Sequence, residues 1–244
     1  MHVYKLVVEY NGKNFYGSQI QSSLRTVEGV LKDVLSKLLK KKFRLSFVSR
    51  TDTGVHCLCN IAKLSYKDEI KNLKNFLEKL NFVLPEDLQV KKIVKLKKDF
   101  DTRKVKYKIY QYTIYNSLNK PTLYKEYIWW VKEKLSLQLL KKAAKIISSQ
   151  KNFCFATTSE FIKTKKSTKC KIEIKVSKTQ EFVKIIFKGD RFLHRLVRNL
   201  VSLLVNVALG KISLGELKNI IRSWRYFKLN PAPPNGLVLL KIVV

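Results

Sequence analysis

Asp52 is the residue whose surroundings most invite chemistry. It lies in Ser49-Arg50-Thr51-Asp52-Thr53-Gly54-Val55-His56, an acid between an arginine and a glycine turn, with a histidine beyond. The chain holds 50 Lys+Arg against 18 Asp+Glu, so a carboxylate here is conspicuous. Two readings fit the stretch taken alone. Turns favour Asp because its side chain hydrogen-bonds nearby backbone. Alternatively, an ionised carboxylate serves as nucleophile or base. Arg50 and His56 flank it, and either can bind phosphate. Two more groups have residue types suited to the same work. If residues 192–209 form a helix, Arg191, Arg195 and Arg198 fall on one side of it. They are then a solvated basic edge, or place an arginine beside a groove, available to pair with a carboxylate or a phosphate. On a strand over 106–115, Tyr110 and Tyr112 share one face and Tyr107 takes the other. Those rings are core packing, or a platform on which an unpaired base stacks.

Composition says what such groups would act on. A net charge of +32 spread along the chain repels itself unless it meets a polyanion, and nucleic acid is the first candidate. An AT-rich genome, whose codons write Lys freely, is the competing explanation, but it accounts less well for the scarcity of Asp and Glu. With 45% hydrophobic and 11% aromatic residues, the chain has enough apolar surface for a packed core. The four cysteines, Cys57, Cys59, Cys154 and Cys170, lack zinc-ligand spacing. They read as small thiols in a reducing compartment, and no metal site is expected. Residues 196–209 are the most apolar stretch, too short to span a bilayer and interrupted by Arg198 and Asn199. The N-terminus lacks a signal-peptide pattern. The expectation is a soluble, cytoplasmic protein.

The elements that must position these residues follow from periodicity and punctuation. Strands are predicted over 3–10, 43–48, 57–66, 88–96, 106–115, 172–176, 183–187 and 237–244. Helices are predicted over 26–39, around Leu73 to Leu80, over 135–147, and over 192–209 with Gly210 as its stop. Ser213 and Glu216 match a capping box opening a short helix. Residues 162–171 read as a basic loop, and 230–236 (NPAPPNG) as a rigid one. The pattern is α+β, mixed α/β, with a boundary near residue 104 that divides the chain into 1–103 and 104–244.

The residues also carry a resemblance. Arg50-Thr51-Asp52-Thr53-Gly54-Val55-His56 resembles the G-R-T-D-A-G-V-H signature of the TruA family of tRNA pseudouridine synthases. Glu9-Tyr10-Asn11-Gly12 and Phe15-Tyr16-Gly17-Ser18-Gln19 resemble its opening E-Y-D-G…Y-x-G-W-Q. Leu84-Pro85-Glu86-Asp87-Leu88, Phe100-Asp101-Thr102-Arg103, Tyr110-Gln111-Tyr112, Phe192-Leu193-His194-Arg195-Leu196-Val197-Arg198-Asn199 and Gly236-Leu237-Val238-Leu239 resemble further motifs in family order. The chain departs at Ser18 for a usual Trp, Ser49 for Gly and Cys57 for Ala. The family's D-F-x-x-F is shortened to Asn152-Phe153-Cys154-Phe155, and aligning Tyr110 needs a gap after Arg103, which leaves Tyr107 as its rival.

The resemblance implies a fold of two similar α/β halves, each with a mostly antiparallel sheet flanked by helices, around a central RNA-binding cleft. It implies conversion of uridine to pseudouridine at positions 38, 39 and 40 of the tRNA anticodon stem-loop, with no cofactor, by a homodimer. In that scheme Asp52 is the catalytic carboxylate, as nucleophile or as base toward the ribose, and Arg198 is its ion-pair partner. Arg50 contacts RNA backbone, Tyr110 stacks on the uracil, and Leu237 lines the pocket. Lys40 to Lys42, Lys163, Lys165, Lys166 and Lys169 are candidate phosphate contacts. A catalytically inactive RNA-binding protein on the same fold is the alternative; retention of Asp52, Arg198 and Tyr110 together speaks against it. A general DNA-binding protein is disfavoured, since no helix-turn-helix or zinc-finger signal appears.

Overall fold

The computed structural model describes residues 1–223 and 225–244. The chain forms two compact units, Met1–Lys106 with Val238–Val244, and Tyr107–Leu237. In the first, β1 (His2–Tyr10) pairs antiparallel with β3 (His56–Tyr66) on one edge and with β4 (Leu88–Leu96) on the other. The outer edge of β3 is shared. Its later part, Ala62 to Tyr66, takes β2 (Phe43–Phe47) antiparallel. Its start, His56 and Cys57, takes β9 (Leu237–Val243) parallel, through Val238 and Leu239. The chain's tail thus joins the first unit by strand pairing rather than by chain order. Residues of β1 alternate cleanly, with Tyr4, Leu6 and Val8 wholly buried, as a half-buried strand requires. Helix α1 (Val27–Leu38) presents Val27, Leu31, Val34 and Leu35 to this core, and the Thr26 hydroxyl caps it by accepting the Gly29 amide. Burying each such side chain contributes about 1.5–3 kcal/mol. The second helix, α2 (Leu73–Val83), buries only Leu80.

A β-bulge in β3 matters for the site. Val8 faces Asn60, but Tyr10 faces Cys57, so β3 carries an extra residue there and its alternation breaks. Beyond the bulge the register is regular, and Asn60 and Ile61, on opposite faces of β3, are both buried. Cys57 and Cys59, which would share a face of a regular strand, differ: Cys57 is buried and Cys59 half-buried.

The second unit has β8 (Phe182–Gly189) between β5 (Tyr107–Asn116) and β7 (Ile172–Thr179), all antiparallel, with the short β6 (Trp129–Val131) parallel to β5. Helix α3 (Leu137–Ser148) packs on β7 and on α5 (Leu196–Ala208). All of α5 is buried except Arg198 and Asn206, which marks it as a central helix rather than an amphipathic surface one. Two short helices complete the unit, α4 (Ser159–Lys163) and α6 (Leu214–Arg222), the latter opened by the capping box of Ser213 and Glu216.

The architecture is mixed α+β with mostly antiparallel pairing, as expected. Three local expectations change. Residues 192–195 are not helical. Arg195 has φ of 56°, the left-handed region, and the helix starts only at Leu196. A left-handed residue cannot continue an α-helix, so Arg191 and Arg195 leave the proposed ridge and only Arg198 stays on the helix. The apolar Phe192 and Leu193 belong to the preceding turn, where Leu193 is buried by packing. The basic loop starts two residues later than expected, since residues to Lys163 belong to α4. The strand β6 escaped periodicity because three residues are too few to show it.

Candidate active site

The turn bearing Asp52 joins β2 to β3, and its backbone is anchored by buried polar groups. All three polar groups of Thr51 are engaged. Its amide donates to Ser18 Oγ at 2.8 Å, its carbonyl accepts from Ser18 N–H at 3.1 Å, and its hydroxyl lies 2.9 Å from Tyr10 OH. Asn60, with no exposed surface, bridges the base of the turn. Its Nδ2 donates to Ser49 O at 2.8 Å and Tyr10 OH at 3.3 Å, and its Oδ1 accepts from the amides of Ser49 and Ile61. Val55 N–H closes the turn on Asp52 O at 3.2 Å, with Gly54 at φ +77°. Fully paired amides in a low-dielectric interior hold one geometry firmly.

Glycine is required where the first strand's turn meets this loop. A Cβ on Gly12 would stand 2.1 Å from Val55 O, an impossible contact. The same close approach lets Gly12 N–H donate to His56 Nδ1 at 3.1 Å. A backbone amide can only donate, so Nδ1 is the acceptor and the ring proton sits on Nε2. His56 is 3% exposed. The ring is buried beneath the turn, with Nδ1 committed to Gly12. Arg50 and Thr53 are exposed, and Asp52 is half-buried between them.

The remaining sequence-predicted residues lie in the second unit. Tyr110, on β5, is 6% exposed and meets Phe192 edge-on at 4.9 Å between centroids. Tyr112, on the same strand face, is wholly buried and donates its hydroxyl to Pro233 O at 2.7 Å. Burial holds that phenol well above its ordinary range, with the Arg198 charge pulling the other way. Tyr112 is therefore a core residue, and of the shared face only Tyr110 keeps the stacking role as a candidate. Arg198 is half-buried. Its Nε donates to Ala232 O at 2.7 Å and its own carbonyl accepts from Ala232 N–H at 3.1 Å. Asn235 Nδ2 bonds the carbonyls of Lys125 and Ile128, and a Cβ on Gly236 would strike the Tyr112 ring at 2.7 Å. The proline-rich loop is thus pinned along its length and delivers the 4%-exposed Leu237 into β9. So Arg50, Asp52 and His56 share the first unit, while Tyr110, Arg198 and Leu237 share the second. Among the described residues no cluster of His, Cys, Asp and Glu has the makings of a metal site.

Sequence reasoning missed Ser18, Asn60 and Lys108. Asn60 shares the inward face of Ala62 and Leu64, and its own segment does not show that Ser49 and Tyr10 lie against it. Lys108 shares the Tyr110 face of β5, and burial pulls its amine from 10.5 down to about 8. Its folded value is depressed. The stability linked to its neutral form is therefore complete above pH 10.5 and lost as pH falls through about 8. We expect Lys108→Met to be more stable than the parent at pH 7 by on the order of 2–3 kcal/mol. The gap should close as pH rises from 8 toward 10.5. Urea unfolding across that range tests this, and a gap independent of pH contradicts it.

Comparison with known proteins decides which chemistry this geometry belongs to. A family model described as tRNA pseudouridine synthase matches residues 6–103 and 149–243. The tRNA pseudouridine synthase A of Pelagibacter ubique is 35% identical over 246 aligned residues, covering 100% of both chains. That of Clostridium botulinum is 35% identical with 98% of both covered, and that of Thermotoga neapolitana 32% with 97% of both covered. The chain belongs to the tRNA pseudouridine synthase family. As a tRNA pseudouridine synthase family member it has no helix, among the described residues, long and apolar enough to cross a membrane. The family's signature turn is the one that Ser18, Tyr10 and Asn60 anchor here.

Proposed function

We propose that this protein isomerises uridine to pseudouridine in the tRNA anticodon stem-loop at positions 38, 39 and 40, with Asp52 as the catalytic carboxylate. The observation that carries the reading is the Asp52 turn itself. A half-buried carboxylate is presented on a loop whose adjacent backbone is locked by buried partners, in a chain of net charge +32. Rigid placement is what a reacting group needs, and a purely RNA-binding surface gains nothing from an acid.

In the reaction the N1–C1′ bond breaks, the uracil turns, and a C5–C1′ bond forms. The proton on C5 is lost as N1 gains one, so no atom enters or leaves overall. Asp52 acts at the ribose, as nucleophile at C1′ or as base. It does either as a negatively charged carboxylate. Arg198, by the family resemblance, supplies the opposing charge. Its Nε and backbone are already committed to Ala232, which limits the rotamers open to the guanidinium. Tyr110 stacks on the uracil once the nucleotide has left its helix, and its edge contact with Phe192 fixes the ring plane. Leu237 closes the apolar side of the pocket. Arg50, exposed beside Asp52, contacts RNA backbone. Homodimerisation, which rests on the resemblance, and a cytoplasmic location complete the proposal.

Incubation with unmodified tRNA followed by pseudouridine mapping tests it. We expect product confined to the anticodon stem-loop. A folded protein that yields none there sinks the reading.

A further inference from the structure

Ser18 is where this chain carries a serine and the resembled family usually a tryptophan, and it is entirely buried. It makes two bonds to one residue. Its N–H donates to Thr51 O at 3.1 Å and its Oγ accepts the Thr51 amide at 2.8 Å. Behind it, Glu28 N–H donates to Ser18 O at 2.9 Å and Val27 N–H to Gly17 O at 3.3 Å. Those amides open α1 and lack intrahelical acceptors, so the first turn of α1 holds the 17–18 backbone in place. Gly17 has φ +87°, and a Cβ there would lie 2.9 Å from Thr51 O, so the two backbones run in close contact. A continuous path of bonds therefore links the start of α1 to Ser18, to Thr51, and to the neighbouring Asp52. Tryptophan offers a donor only and cannot accept the Thr51 amide, so serine is not a neutral replacement.

We propose that Ser18 is a positioning residue for the Asp52 carboxylate, its hydroxyl setting where the turn presents the acid by holding the Thr51 amide. This rests on the reading of Asp52 given above. Without the hydroxyl the buried amide loses its acceptor, and the turn shifts to recover one. The error falls on Asp52 placement rather than on RNA affinity, since phosphate contacts dominate the latter.

The test is steady-state pseudouridine formation on tRNA by the wild type, Ser18→Ala and Ser18→Thr, with thermal melts of each. For Ser18→Ala we expect kcat to fall about tenfold with KM for tRNA within about twofold, and a folded Ser18→Thr to recover most of the loss because it keeps the acceptor. An unchanged kcat in Ser18→Ala overturns the proposal. So does a parallel loss of kcat and tRNA binding, or a loss that folded Ser18→Thr does not recover. If Ser18→Ala does not fold, hydrogen exchange on the wild type decides. The Thr51 amide must exchange as slowly as amides within β1 and β3, and exchange at the rate of an unprotected amide overturns the proposal. A wild type without product indicts the assigned reaction instead, and the exchange measurement still judges Ser18.

Discussion

Asp52→Ala is expected to lower pseudouridine formation by at least about 10,000-fold while tRNA binding stays within about tenfold. The two numbers separate because different groups carry them. Chemistry at the ribose needs a carboxylate, and no neighbour replaces it: Thr51 and Thr53 offer hydroxyls, and Arg50 a cation. Binding depends on phosphate contacts from lysine and arginine, which outnumber the acids 50 to 18. The turn should survive the truncation. Its backbone is held through Thr51, Asn60, Val55 and Gly54, and those bonds involve backbone or neighbouring side chains. Asp52→Asn is the companion variant, since it keeps the shape and removes the charge; it should be as inactive as alanine. If tRNA affinity collapses with Asp52→Ala, the residue is structural. Turnover near the wild-type level places the catalytic acid elsewhere.

Raising salt from roughly 50 to 200 mM is expected to weaken tRNA binding by about a thousandfold or more. Each phosphate neutralised by a cation releases a condensed counterion, so log K falls linearly with log salt, more steeply for more contacts. The cations are available. Lys40, Lys42, Lys163, Lys165, Lys166 and Lys169 are exposed. Some other basic residues are tied to acids, as Lys41 is to Asp68 and Lys63 to Asp99, and exposed pairs of that kind are weak and themselves screened by salt. Filter binding or anisotropy over a salt series gives the slope directly. A flat response means that the charge of +32 reflects composition and that few lysines meet RNA.

How much of this was legible in the sequence varies with the distance over which each feature is decided. Strands such as β1 and β5 and helices such as α1 and α3 were readable because their apolar periods are set within one element. The chemistry of the Asp52 turn was readable as a pair of alternatives, turn residue or catalyst, because both depend on adjacent residues. The start of α5 was misread because Phe192 and Leu193 continue its apolar pattern through a turn that only the left-handed Arg195 reveals. The bond from Gly12 N–H to His56 Nδ1 was not legible, because nothing in the segment around His56 shows that Gly12 lies against it.

By itself the sequence determined that this is a basic, mixed α+β chain, that Asp52 sits on a glycine turn between strands, and that its motifs run in the order of one RNA-modifying family. These are properties of composition and of short windows. Only the tertiary structure decided what holds the acid still. Ser18 and Thr51 are 33 positions apart, Gly12 and His56 are 44, and Tyr10 and Asn60 are 50. Hydrogen bonds across such separations depend on strand register, a bulge and close backbone approach. None of these can be read from residue type, because each exists only once β1, β3 and the start of α1 have packed together.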